Sequence, residues 1–312
     1  MSLAAYIARR ALWTIPLVLG VMLVTFLLMR GAGGDPFRPP EGFAGVPESY
    51  ARVLRDHYHL DDPWFVEFAH WIKNVFTLRF GPSLVLRDLD AGDVVRHALP
   101  VTLQLVLLAA AWAVPAGVAL GLWAGTNRGG LADLTATAIA SVLLVVPVFF
   151  VVFALHKYLV MDWRLLPTGW DTWRARALPV LALGLAPAGY SARLVRAAVV
   201  EAMQEDYVRT AFAKGLRRER VVWVHVLRNS LAPLVSAAIP LIALLITGAF
   251  FVENTFAVPG ASDFFIQAVR ARDYPVIMNL TAALAVIVLL ANLVADVLLA
   301  MADPRILEGM RR

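Results

Sequence analysis

Long apolar runs separated by short polar loops constrain this chain more than any other feature. Residues 11–29, 101–124, 135–160, 178–200, 231–252 and 277–301 are each predominantly apolar. Each has about the length, ~20 residues, that an α-helix needs to cross ~30 Å of hydrocarbon. The composition agrees: 60% of the 312 residues are hydrophobic, 16% are charged and the mean hydropathy is +0.70, outside the usual range of a soluble domain. The expected fold is an all-α polytopic membrane protein with six transmembrane helices. A formal charge of +5 and a pI near 9.8 raise the question of nucleic acid. The basic residues flank apolar runs, however, so they read as topology signals and no nucleic-acid partner is expected. There is no cysteine, which removes disulfides, thiolate metal sites and cysteine nucleophiles.

Arg9 and Arg10 precede the first run and place the N-terminus inside. That run exceeds a signal-peptide core and GAGGD is a poor cleavage site, so an uncleaved helix is expected. Residues 31–97 are polar, with turn signals and a periodic stretch over 48–75, and read as an extracytoplasmic subdomain in which His57 and His59 are a surface pair. In the second run Gly117, Gly121 and Gly125 recur every four residues, the spacing of a helix-packing face. Pro147 predicts a kink in the third run, and Lys157 is expected to snorkel at its outer end. In loop 161–177, Trp163, Trp170 and Trp173 suit the headgroup belt. The fourth run carries Pro179, Gly184, Pro187 and Gly189, which makes it a candidate wall of a path. Asn292 and Asp296 lie four apart in the sixth run, on one face, and read as an intramembrane polar clasp against another helix.

Residues 201–233 are the one charge-dense stretch in the last two-thirds of the chain. Asp206 is a good N-cap, residues 207–214 contain neither Gly nor Pro, Lys214 adds positive charge to the last turn, and Gly215 suits a left-handed C-cap. A helix of about 12 Å is too short to stand alone in water, so it reads as a docking element held by its neighbours or a partner. Val208 and Phe212, four apart, suggest an apolar anchor, and Ala211, Ala213 and Gly215 supply small residues where a partner approaches closely. From the end of the fourth run onward, Arg193, Arg196, Arg209, Lys214, Arg217, Arg218, Arg220 and Arg228 outnumber Glu201, Glu205, Asp206 and Glu219, which marks the cytoplasmic side.

The segment RTAFAKG, with Leu227 and Pro233, resembles the E-A-A-x-x-x-G loop of importer-type ABC permeases, above all the peptide and nickel branch, where it reads D-Y-x-R-T-A-x-A-K-G-L. Arg209 stands where the general loop has Glu, Arg228 where it has Pro, and Phe212 where the branch often has Arg. Further segments resemble the same branch in order: GGDP, YHLDDPW, RFGPS, ENTFAVPGASDFFIQAVRARDYPV, with Ser262 in place of a glycine, and Asp303-Pro304-Arg305. The resemblance implies a type I ABC importer permease fold in which Asp206, Tyr207, Val208, Arg209, Thr210, Ala211, Phe212, Ala213, Lys214, Gly215 and Leu216 form the coupling helix seated on an ATPase. It implies residues 1–97 as a first helix plus subdomain, 98–302 as the permease domain with a coupling loop at 201–230, and 303–312 as a cytoplasmic tail. The implied setting is the inner membrane of a prokaryote, with both termini cytoplasmic. Implied partners are a second permease subunit, two ATPase subunits that hold ATP and Mg, an extracytoplasmic substrate-binding protein and the lipid bilayer.

The chain has no G-x-x-x-x-G-K-[ST], H-E-x-x-H or G-x-S-x-G, so no catalytic, cofactor or metal residue is expected and energy must come from elsewhere. A secondary transporter or channel is the alternative; it would show charges buried in several spans, or internal repeats. Peptides, nickel or other chelates, and oligosaccharides all remain open as cargo.

Overall fold

The computed structural model describes residues 3–31, 37, 47–84 and 90–302. Among these, helices dominate and the single β-bridge joins Pro82 to Asp90. In order, the helices are α1 (Leu3–Gly31), α2 (Glu48–Tyr58), α3 (Trp64–Phe76), α4 (Ala91–Thr126), α5 (Leu131–Val145) and α6 (Val148–Leu155), the last continuing as a π-helical stretch, His156–Asp162. They continue as α7 (Trp173–Ala202), α8 (Asp206–Ala213), α9 (Arg218–Arg220), a second π-helical stretch (Val221–Val226), α10 (Leu227–Ser230), α11 (Ala232–Ser236), α12 (Ala238–Phe256), α13 (Ala261–Ala271) and α14 (Tyr274–Ala302). Five are long and apolar enough to cross a membrane, namely α1, α4, α7, α12 and α14, and α5 with α6 makes a sixth if that bent pair counts as one span.

Two of the expected spans differ in detail. The kink at Pro147 is a 95° break between α5 and α6. Its origin is local: Val146, which precedes the proline, is forced out of the helical region to φ −70°, ψ 121°, and Pro147 follows at ψ 135°. The fifth run is not one helix over 231–252. It starts with the short α11, just after α10 has ended at Ser230, and becomes continuous only from Ala238 to Phe256, where Ala257 turns left-handed at φ 53°.

The chain divides into two compact units, each discontinuous in sequence. One comprises residues 1–7, 104–258 and 291–312. Its centre is α7, which packs against α4, α5, α6 and α12 and is the most buried of the candidate spans. Thr172 caps α7, its hydroxyl accepting the Ala175 N–H at 3.3 Å. Gly184 and Gly189 do not face an open path. Trp112 covers Gly184 and donates its indole N–H to the Val180 carbonyl at 2.9 Å, while a Cβ at Gly189 would stand 2.7 Å from the Ala140 carbonyl of α5. Trp170 is not a headgroup residue either: it is 5% exposed, donates to Gln104 at 3.0 Å and lies under the Arg176 guanidinium. Trp163 and Trp173 are exposed. Lys157 pairs with Asp162 at 3.0 Å rather than reaching out alone.

The other unit comprises residues 8–103 and 259–290. Phe80, Val94, Ala98, Val276 and Leu280 are among its core residues, and α2 adds Ala51 and Leu54 against Phe37 and Leu84. A buried polar knot ties the segment before α4 to the start of α14. Asp273 accepts the Ser83 hydroxyl and, at 3.2 Å, the Leu84 N–H. Beside it, the Tyr58 hydroxyl donates to the Pro82 carbonyl. Burial, then the Asp273 and Asp90 carboxylates, push the Tyr58 pKa far up and keep that donor protonated. RFGPS and RDYP, far apart in sequence, therefore meet.

Candidate coupling surface and the helix packing beneath it

Helix α8 begins with Asp206 as its first residue; the N-cap is Glu205, and no side chain caps it. Asp206 instead accepts from Arg209 at 3.4 Å on the exposed side and places a carboxylate at the positive end of the helix. The C-terminus is a Schellman motif: the Gly215 N–H donates to the Phe212 carbonyl at 2.9 Å and the Leu216 N–H to the Ala211 carbonyl at 3.3 Å. Gly215 holds φ +75°. Nothing else crowds it, so its requirement is conformational alone.

Two small residues hold this eight-residue helix to the chain. Val208 and Ala211 are buried in a cluster with Val195, Val199 and Ala202 of α7 and Val221, Val222 and Val226 of the π-helical stretch. The expected anchor pair is therefore split. Val208 points inward, whereas Phe212 points out and is 41% exposed. Ala211 is likewise buried in the chain's own core, because an eight-residue helix has one inward face and Val208 and Ala211, three apart, share it. Tyr207, Arg209, Thr210, Phe212, Ala213 and Lys214 form the exposed side, Gly215 is also exposed, and Leu216 is partly buried.

Beneath this surface α4 and α7 touch backbone to backbone. A Cβ at Gly117 would stand 2.6 Å from the Ala188 carbonyl oxygen; at Gly121, 2.6 Å from that of Ala192; and at Gly125, 2.6 Å from Val199 Cγ1. The Arg218 guanidinium donates to the Thr126 carbonyl at 2.5 Å, joining the start of α9 to the end of α4. Arg196 of α7 clasps Asp133 of α5 with two bonds, Nε to Oδ1 at 2.6 Å and Nη2 to Oδ2 at 2.9 Å. Asp133 also accepts the Gly129 N–H at 3.0 Å and the Thr137 hydroxyl at 3.3 Å. Sequence reasoning named neither the pair nor Asp133, yet a signal existed: Asp133 is the sole acid between residues 131 and 160.

In α14, Asp296 is buried, and the Asn292 amide oxygen is buried without a hydrogen-bond partner among the described residues. Asp303, Pro304 and Arg305 lie outside the described residues.

Comparison with known proteins places these features in one family. Residues 117–308 match the family described as binding-protein-dependent transport system inner membrane component. The dipeptide transport system permease protein DppB of Bacillus subtilis is 33% identical over 305 residues, covering 97% of this chain and 98% of the relative. The oligopeptide transport system permease protein OppB of Haemophilus influenzae is 31% identical over 306 residues, 96% of this chain and 98% of the relative. Among solved structures, a chain of the inward-facing MetNI methionine ABC transporter superposes with a TM-score of 0.54 at 17% identity, over 67% of this chain and 96% of that one, a likeness of fold. The chain belongs to the inner membrane component family of binding-protein-dependent transport systems, and is a permease subunit of an ABC importer.

Proposed function

We propose that this permease carries peptides delivered by an extracytoplasmic binding protein, and that the exposed side of α8 is where an ATPase subunit pushes. The substrate class rests on full-length relatives named for dipeptide and oligopeptide transport. The coupling role rests on one observation: α8 is locked to α7 through Val208 and Ala211 while Tyr207, Phe212 and Lys214 are exposed. Force applied to that side passes to a span without loosening the loop. A second permease subunit completes the path, two ATPase subunits supply ATP and Mg, and this chain binds no cofactor of its own. Residues 98–302 form the permease portion, residues 1–97 the added helix and outer subdomain. Asn292 and Asp296 form the polar clasp within it.

Phe212→Glu tests the coupling surface. The side chain is exposed, so the variant inserts and folds, but it loads a charge onto an interface that excludes water. Retention of the ATPase subunit on purified permease should fall roughly tenfold, ~1.4 kcal/mol, and peptide-stimulated ATP hydrolysis in vesicles should fall with it. Wild-type values for both would remove α8 from the contact.

Topology follows from the same reading, with 201–230 and both termini cytoplasmic and 31–97 and 161–177 outside. The absence of cysteine allows single replacements. In whole cells an impermeant thiol reagent should label Trp163→Cys and spare Arg217→Cys; the reverse pattern inverts the orientation. Trp163 serves because it is exposed, which Trp170 is not.

A further inference from the structure

We propose that α3 is a membrane-surface helix, with the side bearing Phe65, Ala69, Ile72 and Phe76 embedded in the boundary between lipid headgroups and acyl chains. Helix α3 has two apolar sides. Phe68, Trp71 and Val75 form the first, which turns toward the protein; Phe68 and Trp71 pack on Phe26 of α1 with ring centroids 5.2 and 6.4 Å away. Phe65, Ala69, Ile72 and Phe76, spaced i, i+4, i+7 and i+11, lie along a second side about 100° round the helix. Here Phe65 is 58% and Phe76 66% exposed.

Depth identifies what covers that second side. Helix α1 is a candidate span that runs to Gly31, and Arg30 in its last turn pairs with Glu67 of α3. Phe26, four residues earlier, lies about 6 Å further into the span. The inward face of α3 thus lies level with the last turn or so of α1. A second span gives the same level. The Trp71 indole donates at 2.9 Å to Asn279, five residues into α14, a candidate span that begins at Tyr274. Two spanning helices therefore hold α3 at the edge of the hydrocarbon.

At that depth, outward-facing phenylalanines meet lipid unless a protein covers them. The remaining side of α3 suits the same placement: Lys73 is exposed in the last turn and has the length to reach the headgroups, and His70 and Asn74 share its side. Short helices with one lipid-compatible side and one polar side lie in the interface plane. The helix thereby fixes the height of the outer subdomain over the bilayer. This placement is independent of what the importer carries.

Depth-resolved spin labelling of the assembled complex in nanodiscs of phosphatidylethanolamine and phosphatidylglycerol tests this. Labels at Phe65→Cys and at Phe76→Cys, made separately, are compared with Val24→Cys, exposed on α1 within the span, and Asp61→Cys, exposed in the turn before α3. Collision with oxygen should exceed collision with a water-soluble nickel chelate at 65 and 76, as at 24, and the order should reverse at 61. Nickel collisions in excess at 65 and 76 would place the side in water and overturn the proposal. So would low collision rates with both reagents, which would mean a protein partner covers it. Should one replacement prevent assembly, the other reads the same side independently, two turns or more away.

Discussion

Gly121→Leu should leave little folded permease, whereas Ala119→Leu, an enlargement two residues away on the exposed side of the same helix, should leave the chain near wild type. The reason is that α4 and α7 meet through backbone at Gly121. A Cβ there would lie 2.6 Å from the Ala192 carbonyl oxygen, 2.8 Å from Val195 Cβ and 3.0 Å from the Arg196 amide nitrogen. No side-chain rotation relieves a clash with backbone, so the helices must separate. Separation also opens the Gly117 and Gly125 contacts one turn to either side, because all three lie on the same line. Overpacking of a tight core typically costs about 1–3 kcal/mol, and a backbone-to-backbone clash belongs at or above the upper end. The readout is the yield of monodisperse protein in detergent and its thermal midpoint. Equal midpoints for the two variants would show that α4 and α7 can part without loss.

How much of this was legible in the sequence depends on what each signal reports. The spans were legible because about twenty apolar residues have few other uses. The glycine line was legible from its four-residue spacing, but the burial of Leu122 next to Gly121 was not, since an apolar helix in lipid carries no polar side to orient it. The Schellman end of α8 followed from Gly215 after an uninterrupted helix. Its N-cap lies one residue before the expected one, because Glu205 and Asp206 are adjacent acids that local pattern does not tell apart. Its inward face is not legible, because two turns of helix contain too few residues to define a period and Val208 and Phe212 are equally apolar. The 95° break is foreshadowed by Pro147, which marks where the helix stops but not the angle at which it resumes. The Ser83–Asp273 contact was not legible at all: family resemblance marked both segments, and no local pattern joins them.

Asp133→Ala should destabilise the chain more than truncating any exposed charge on α8, although it adds no bulk. Asp133 is the acceptor for four donors: two from Arg196, one from the Gly129 amide in the turn before α5, and the Thr137 hydroxyl. Removing the carboxylate leaves the guanidinium and the turn amide without it. Breaking a buried pair from one side costs about 3–5 kcal/mol, and the third of the Arg196 side chain that remains exposed moves the expectation to the lower part of that range. Pairing the change with a neutral partner separates a lost bond from a stranded charge. Asp133→Leu with Arg196→Met replaces both groups by apolar side chains, and it should recover most of what Asp133→Ala loses, because desolvation of an unpaired ion is the larger part of the cost. The Gly129 amide stays unsatisfied in the double variant, so recovery should stop short of wild type. Thermal midpoints of the purified chains decide the matter: a double variant no more stable than Asp133→Ala would mean that the lost bonds themselves, and not a stranded Arg196 charge, account for the loss. The same clasp joins α5 to α7, against which α8 is packed. A loosened pair should therefore also weaken peptide-stimulated ATP hydrolysis in vesicles at temperatures where the protein remains folded.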